Sequence, residues 1–159
     1  MTSTSVSHDA ADAESPAFLH AVAELARRRP VLATRAVYNL NGDKLLDNGA
    51  SFDAGMAEAM LSQPLAMRLD ECVATENTID AAGLRKAAAA AIRSLPFFAA
   101  MAPDDAVRDA LLDAVATIPL PAPVAFQLTL ARETSFEQFD HGVLMALLCA
   151  HLVDRKSVV

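Results

Sequence analysis

Apolar positions recur at helical spacing along most of the chain and at β spacing in one short stretch. From Pro16 to Arg29, Phe18, Val22 and Leu25 share one helical face, Ser15 can cap and Pro16 suits the first turn. From Val31 to Ser51 the pattern changes. Val31, Leu32, Val37 and Tyr38 favour strands, Asn41-Gly42 is a hairpin turn signal, and Lys44, Leu45 and Leu46 form the returning strand, which Asn48-Gly49 ends. Ser51 then caps a helix over about Phe52 to Ser62 with Phe52, Met56, Met60 and Leu61 inward, and Gln63-Pro64 breaks it. Leu65 to Thr75 reads as a short extended or irregular connector.

The remaining pattern is helical. A helix begins at Asn77 or Thr78, with Asp80 in its first turn, and runs through LRKAAAAAIRSL to Leu95. Its five alanines are strong helix formers and small enough for close packing. Pro96 ends or kinks it, and Phe97, Phe98 and Met101 form an apolar patch leading to Pro103. The next helix buries Val107, Leu111, Leu112 and Val115. The run IPLPAP from Ile118 to Pro123 is a joint. A short helix over Val124 to Arg132 carries Phe126, Leu128 and Leu130. Thr134 or Ser135 caps the last helix, each with Glu137 or Gln138 three residues on, as in a capping box. The expected fold is mainly α, a helical bundle with one small β-hairpin near residues 31–50. A lone hairpin is marginal, so it must pack on the helices or pair with another chain.

Composition narrows the functional classes. Residues 1–15 are Ser, Thr, Ala and Asp with almost nothing to bury, and read as a disordered tail. His8-Asp9 lies in that tail, where no rigid ligand set can form. The 13 basic and 20 acidic residues give a net charge of −7, which argues against binding a nucleic acid polymer through phosphate neutralisation. It leaves room for a small nucleotide held by a local basic cluster. No apolar run reaches the length of a membrane span, and the N-terminus lacks a basic start and an apolar core, so it is no secretory signal. The expectation is a cytoplasmic protein. Cys72 and Cys149 fit no ligand spacing and read as buried thiols.

Charged runs have simple explanations. Arg27-Arg28-Arg29 places cations at a helix C-terminus, and Asp104-Asp105 places anions at a helix N-terminus, where the helix dipole favours each. The candidate chemistry lies in FEQFDHGVLMALLCAHLV, Phe136 to Val153. His141 stands one turn into a strongly patterned helix beside Asp140, and neutral imidazole is the commonest protein metal ligand. His151, ten positions later, lies roughly 80° around the helix, so the two imidazoles do not face one point. One helix with one such histidine is not a metal site, and from chemistry alone a polar residue near the helix start is the favoured explanation of His141.

The stretch FDHGVLMALLCAHLV resembles the opening helix of the HD superfamily of metal-dependent phosphohydrolases, in which a histidine precedes a small residue and an apolar helix. His141-Gly142-Val143 and Met145-Ala146-Leu147-Leu148 occupy those positions. VLATRAVYNLNGDKLLDNGASFD, residues 31–53, is similar to the short hairpin module that precedes HD and HD-GYP signalling domains. Together these cover roughly residues 30–155. The resemblance implies a helical bundle that hydrolyses a phosphate ester or phosphodiester, such as a signalling nucleotide, with a divalent metal ion whose first ligand is His141. No other family residue carries over. The later His-Asp pair, the final Asp and any GYP motif have no counterpart, and only DRKSVV follows Val153. The expectation is therefore residues 16–123 as an N-terminal helical module with the hairpin, and residues 124–159 as the incomplete start of an HD-like domain. Such a chain is either a piece cut after the first HD helix or a relative without a complete site, and would be inactive alone. The second reading is a non-catalytic helical regulatory or interaction module, whose hairpin edge could mediate self-association or contact with a partner.

Overall fold

The computed structural model describes residues 15–156 and is mainly α, with seven helices and two short antiparallel strand pairs among those residues. The expected tail, including His8-Asp9, lies outside them apart from Ser15. The chain divides into two compact units, residues 1–76 and 77–159. The expected boundary at 123/124 is therefore not a break in the packing. The helices before and after it share one core, in which the apolar stripes of the helices between residues 81 and 116 pack on one another and on the last helix.

In the first unit, α1 (Pro16–Arg28) packs on α2 (Ala54–Leu61). α1 buries Leu19, Val22, Ala23 and Leu25, while Phe18 is half-buried, so its inward face is rotated slightly from the expected one. Asp53, not Ser51, caps α2: its Oδ1 accepts from Met56 N at 2.8 Å. Ser51 instead makes an antiparallel bridge to Leu32.

The β structure is more divided than a single hairpin. β1 (Val31–Ala33) pairs antiparallel with β4 (Val73–Thr75), in the stretch read as a connector, while β2 (Val37–Tyr38) pairs with β3 (Lys44–Leu46). The hairpin is thus confined to residues 37–46. Both inner strands have a second neighbour. Ala33 N donates to Ala50 O and Phe52 N to Val31 O, each at 2.9 Å, beside β1, and Leu40 N donates to Pro64 O at 3.0 Å and Ala66 N to Tyr38 O at 2.9 Å beside β2. The edge of β2 that would accept a partner strand is therefore used within the chain.

Asn39 sets the hairpin turn. Its buried Oδ1 accepts from Asn41 N at 3.0 Å and Asp43 N at 2.8 Å, and its Nδ2 donates to Asp43 and Gln63, each at 3.0 Å. Gly42 takes φ +87°, which a residue with a Cβ adopts at a cost. Asn41 does not share the positive φ, so the turn is a three-residue loop closed by Asn39 N to Asp43 O rather than the two-residue form that Asn-Gly suggests.

The second unit is helical: α3 (Ala81–Ser94), α4 (Pro96–Met101), α5 (Asp105–Ala116), α6 (Ala122–Thr134) and α7 (Phe136–Lys156). Asp80 caps α3 by accepting from Gly83 N at 2.7 Å. Asp104 caps α5 by accepting from Val107 N at 2.8 Å, the role its position predicts. The Phe97-Phe98 patch forms α4, with Phe98 buried and Phe97 exposed. Leu111, Leu112 and Val115 are buried in α5 while Val107 is exposed. α7 rests against α3, α5 and α6 through Phe139, Val143 and Leu147. Thr134 makes no capping box, since it belongs to α6 and its hydroxyl donates to Leu130 O at 2.8 Å. Among the described residues of this unit the one buried polar side chain is Thr129, and it joins two elements: its Oγ1 accepts from Ile79 N at 2.8 Å and donates to Ala125 O at 2.7 Å.

Candidate functional site

The position of His141 follows from the helical period. Phe139, Val143 and Leu147 recur every four residues and are buried, which fixes the inward side of α7. At about 100° per residue, His141 points about 160° from Val143, and it is exposed. The same outer side continues as Met145 and Leu152, 46% and 60% exposed, whereas Leu148 is half-buried against the core of the second unit. An isolated surface helix needs no such residues on its solvent side. Gly142 turns toward α6, where an added Cβ would lie 3.9 Å from Leu128 Cδ2. That is an ordinary contact, so packing does not demand glycine after the histidine.

The structure does not bring His141 and His151 together. They occupy different sides of α7, and His151 is half-buried. Among the described residues no three His, Cys, Asp or Glu side chains gather to hold a metal ion. His141 alone does not make up the ligand set of a divalent ion.

The charged runs are occupied locally. Glu24 pairs with Arg27 and, at 3.1 Å, with Arg28, and Arg29 Nη1 donates to Glu76 O at 3.3 Å. The hydrogen bond from Arg28, then the charge of Arg27, holds the Glu24 carboxyl below its ordinary value. The arginine run is thus neutralised in part by its own helix instead of standing open to a phosphate. Asp105 pairs with Arg108, while Arg85 bridges α3 to Asp113 of α5 at 3.2 Å. Cys72 is a buried thiol as expected, but Cys149 is exposed, because it falls on the outer side of α7.

One concave feature lies against α7. A hollow of about 340 Å³ opens between α3 and α7, lined by Ala87, Ala90, Ala91, Ser94, Leu95, Phe136, Phe139, Asp140 and Leu144. Sequence reading assigned the alanines to close packing alone. The signal it missed is that Ala87, Ala90, Ala91 and Ser94 form one helical stripe facing another made of Phe136, Phe139, Asp140 and Leu144. Small side chains set against large ones leave a gap. His141 is not part of this lining; the hollow and the histidine lie on different sides of α7.

No family model matches the chain, and neither a curated protein nor a solved structure matches it.

Proposed function

We propose that this chain is the N-terminal portion of an HD-type, metal-dependent phosphohydrolase of the cytoplasm, acting on a phosphate ester or phosphodiester such as a signalling nucleotide. The observation that carries the reading is the outer side of α7. An exposed histidine stands one turn into the helix, and the exposed apolar residues Met145 and Leu152 follow it on the same side. A helix with an imidazole and an apolar stripe on the side away from its own core is suited to receive further helices, with the imidazole facing the seam. The resemblance of residues 31–53 to the hairpin module upstream of HD domains points the same way. In this reading His141 supplies one ligand to a divalent ion, and the remaining ligands come from beyond the described residues. The ion would activate water and stabilise phosphoryl charge. The described residues contribute scaffold and a single imidazole.

The test is hydrolysis of bis(p-nitrophenyl) phosphate with Mn²⁺ by the longest natural polypeptide that contains this chain. Loss of a metal ligand should lower the rate of His141→Ala by roughly 10²-fold or more, while His151→Ala stays near wild type. Equal rates for wild type and His141→Ala would remove the proposal.

The second reading, a non-catalytic interaction module, rests on exposed apolar residues. Tyr38 and Leu40 project outward from the hairpin, and Val153 extends the exposed end of α7. It predicts a polypeptide with no metal-dependent turnover that self-associates in light scattering.

A further inference from the structure

The hollow between α3 and α7 differs in character from the outer side of α7. Its walls are methyl groups and two phenyl rings, and its one charged lining group is Asp140. The Asp140 carboxylate makes no hydrogen bond or ion pair to any described side chain, so its charge is available to a ligand. Ser94 Oγ donates to Ala91 O at 3.3 Å and keeps its acceptor capacity for an incoming donor. A volume of about 340 Å³ falls in the range of small-molecule pockets.

We propose that this hollow binds a small aromatic or alkyl amine, its apolar body on the alanine face of α3 and its ammonium group beside Asp140. Three features select that chemistry. The apolar lining favours a hydrophobic body. Two of the lining residues, Phe136 and Phe139, are aromatic, a residue type whose ring quadrupole attracts cations. The carboxylate supplies a counter-charge within a chain of net charge −7, which draws cations and repels anions. A phosphoester would meet Asp140 as a like charge, so this site is separate from the phosphohydrolase reading and does not depend on it.

The experiment titrates the full ¹⁵N-labelled chain with phenethylammonium and with 2-phenylethanol, which keeps the ring and the reach without the charge. Saturable amide shifts at Ala90, Ala91, Phe139 and Asp140 are expected for both, with phenethylammonium about threefold to tenfold tighter. Asp140→Asn should abolish that preference and leave the thermal midpoint unchanged, since Asp140 is exposed. Ala90→Leu, also at an exposed position, should weaken both ligands by filling the hollow. Absence of saturable shifts up to about 10 mM ligand, a preference that survives Asp140→Asn, or affinities untouched by Ala90→Leu would each overturn the proposal.

Discussion

The two compact units bury polar groups in different ways. Residues 15–76 hold Asn39 and Asp70 in the interior, each tied to neighbours in its own unit: Asn39 to its turn and Gln63, Asp70 to Arg68 at 2.7 Å. Residues 77–156 bury an almost wholly apolar set and a single hydroxyl, Thr129. The reason lies in the backbone. Helices satisfy their own N–H and C=O groups, so their packing faces can be uniformly apolar. Strands of two or three residues leave donors and acceptors that turns and side chains must satisfy. Among the described residues no buried side-chain nitrogen or oxygen lacks a partner. The first unit therefore adds specific side-chain hydrogen bonds to an apolar core, while the second relies almost entirely on shape and area.

The largest expected effect tests the apolar half of this contrast. Leu147 is fully buried at the contact of α7 with its neighbours. Leu147→Ala should cost about 2–5 kcal/mol in denaturant unfolding, through lost burial and a residual cavity. In the first unit the comparable lesion is polar. Asn39→Ala removes the acceptor of two backbone N–H groups and should cost about 1–3 kcal/mol, with hydrogen exchange accelerated first at Asn41 and Asp43. Thr129→Val keeps the shape but leaves Ile79 N–H without its acceptor, and about 1–2 kcal/mol is expected. If Thr129→Val proved costlier than Asn39→Ala, the contrast between the units would be wrong.

These residues also mark how far the sequence could be read. Helix positions and most inward faces were legible, since a period of 3.6 shows in each helix by itself. The Asn41-Gly42 turn was legible because glycine is needed at Gly42. The pairing of β1 with β4 was not. It joins Val31 to Thr75 across an intervening helix, and three-residue strands carry too little alternation to reveal a partner. The role of Asn39 was hidden for a similar reason: a buried polar residue beside a turn signal reads as more turn. At the candidate site, His141 and the apolar run after it could be read directly, whereas the hollow needed the facing of two stripes some fifty residues apart.

Smaller effects probe helix ends. Asp80→Ala removes the cap on α3 and should cost about 1 kcal/mol. The smallest concerns Glu24. Arg28 and Arg27 lower the folded pKa of its carboxyl, so its contribution is present above the ordinary carboxylate value and is lost as pH falls through the folded pKa. The side chain is exposed, so the effect on stability is slight and screened by salt. An NMR titration should find its midpoint below the ordinary value of 4.5, moving upward in Arg28→Gln.

The proposed function turns on His141, on the outer side of α7, as a metal ligand. The direct measurement is the Mn²⁺ content, after dialysis, of the longest natural polypeptide containing this chain, compared among wild type, His141→Ala and His151→Ala. The account predicts stoichiometric metal in wild type and His151→Ala and a loss of roughly tenfold or more in affinity in His141→Ala. Equal metal content in all three proteins, or none in wild type, would contradict it.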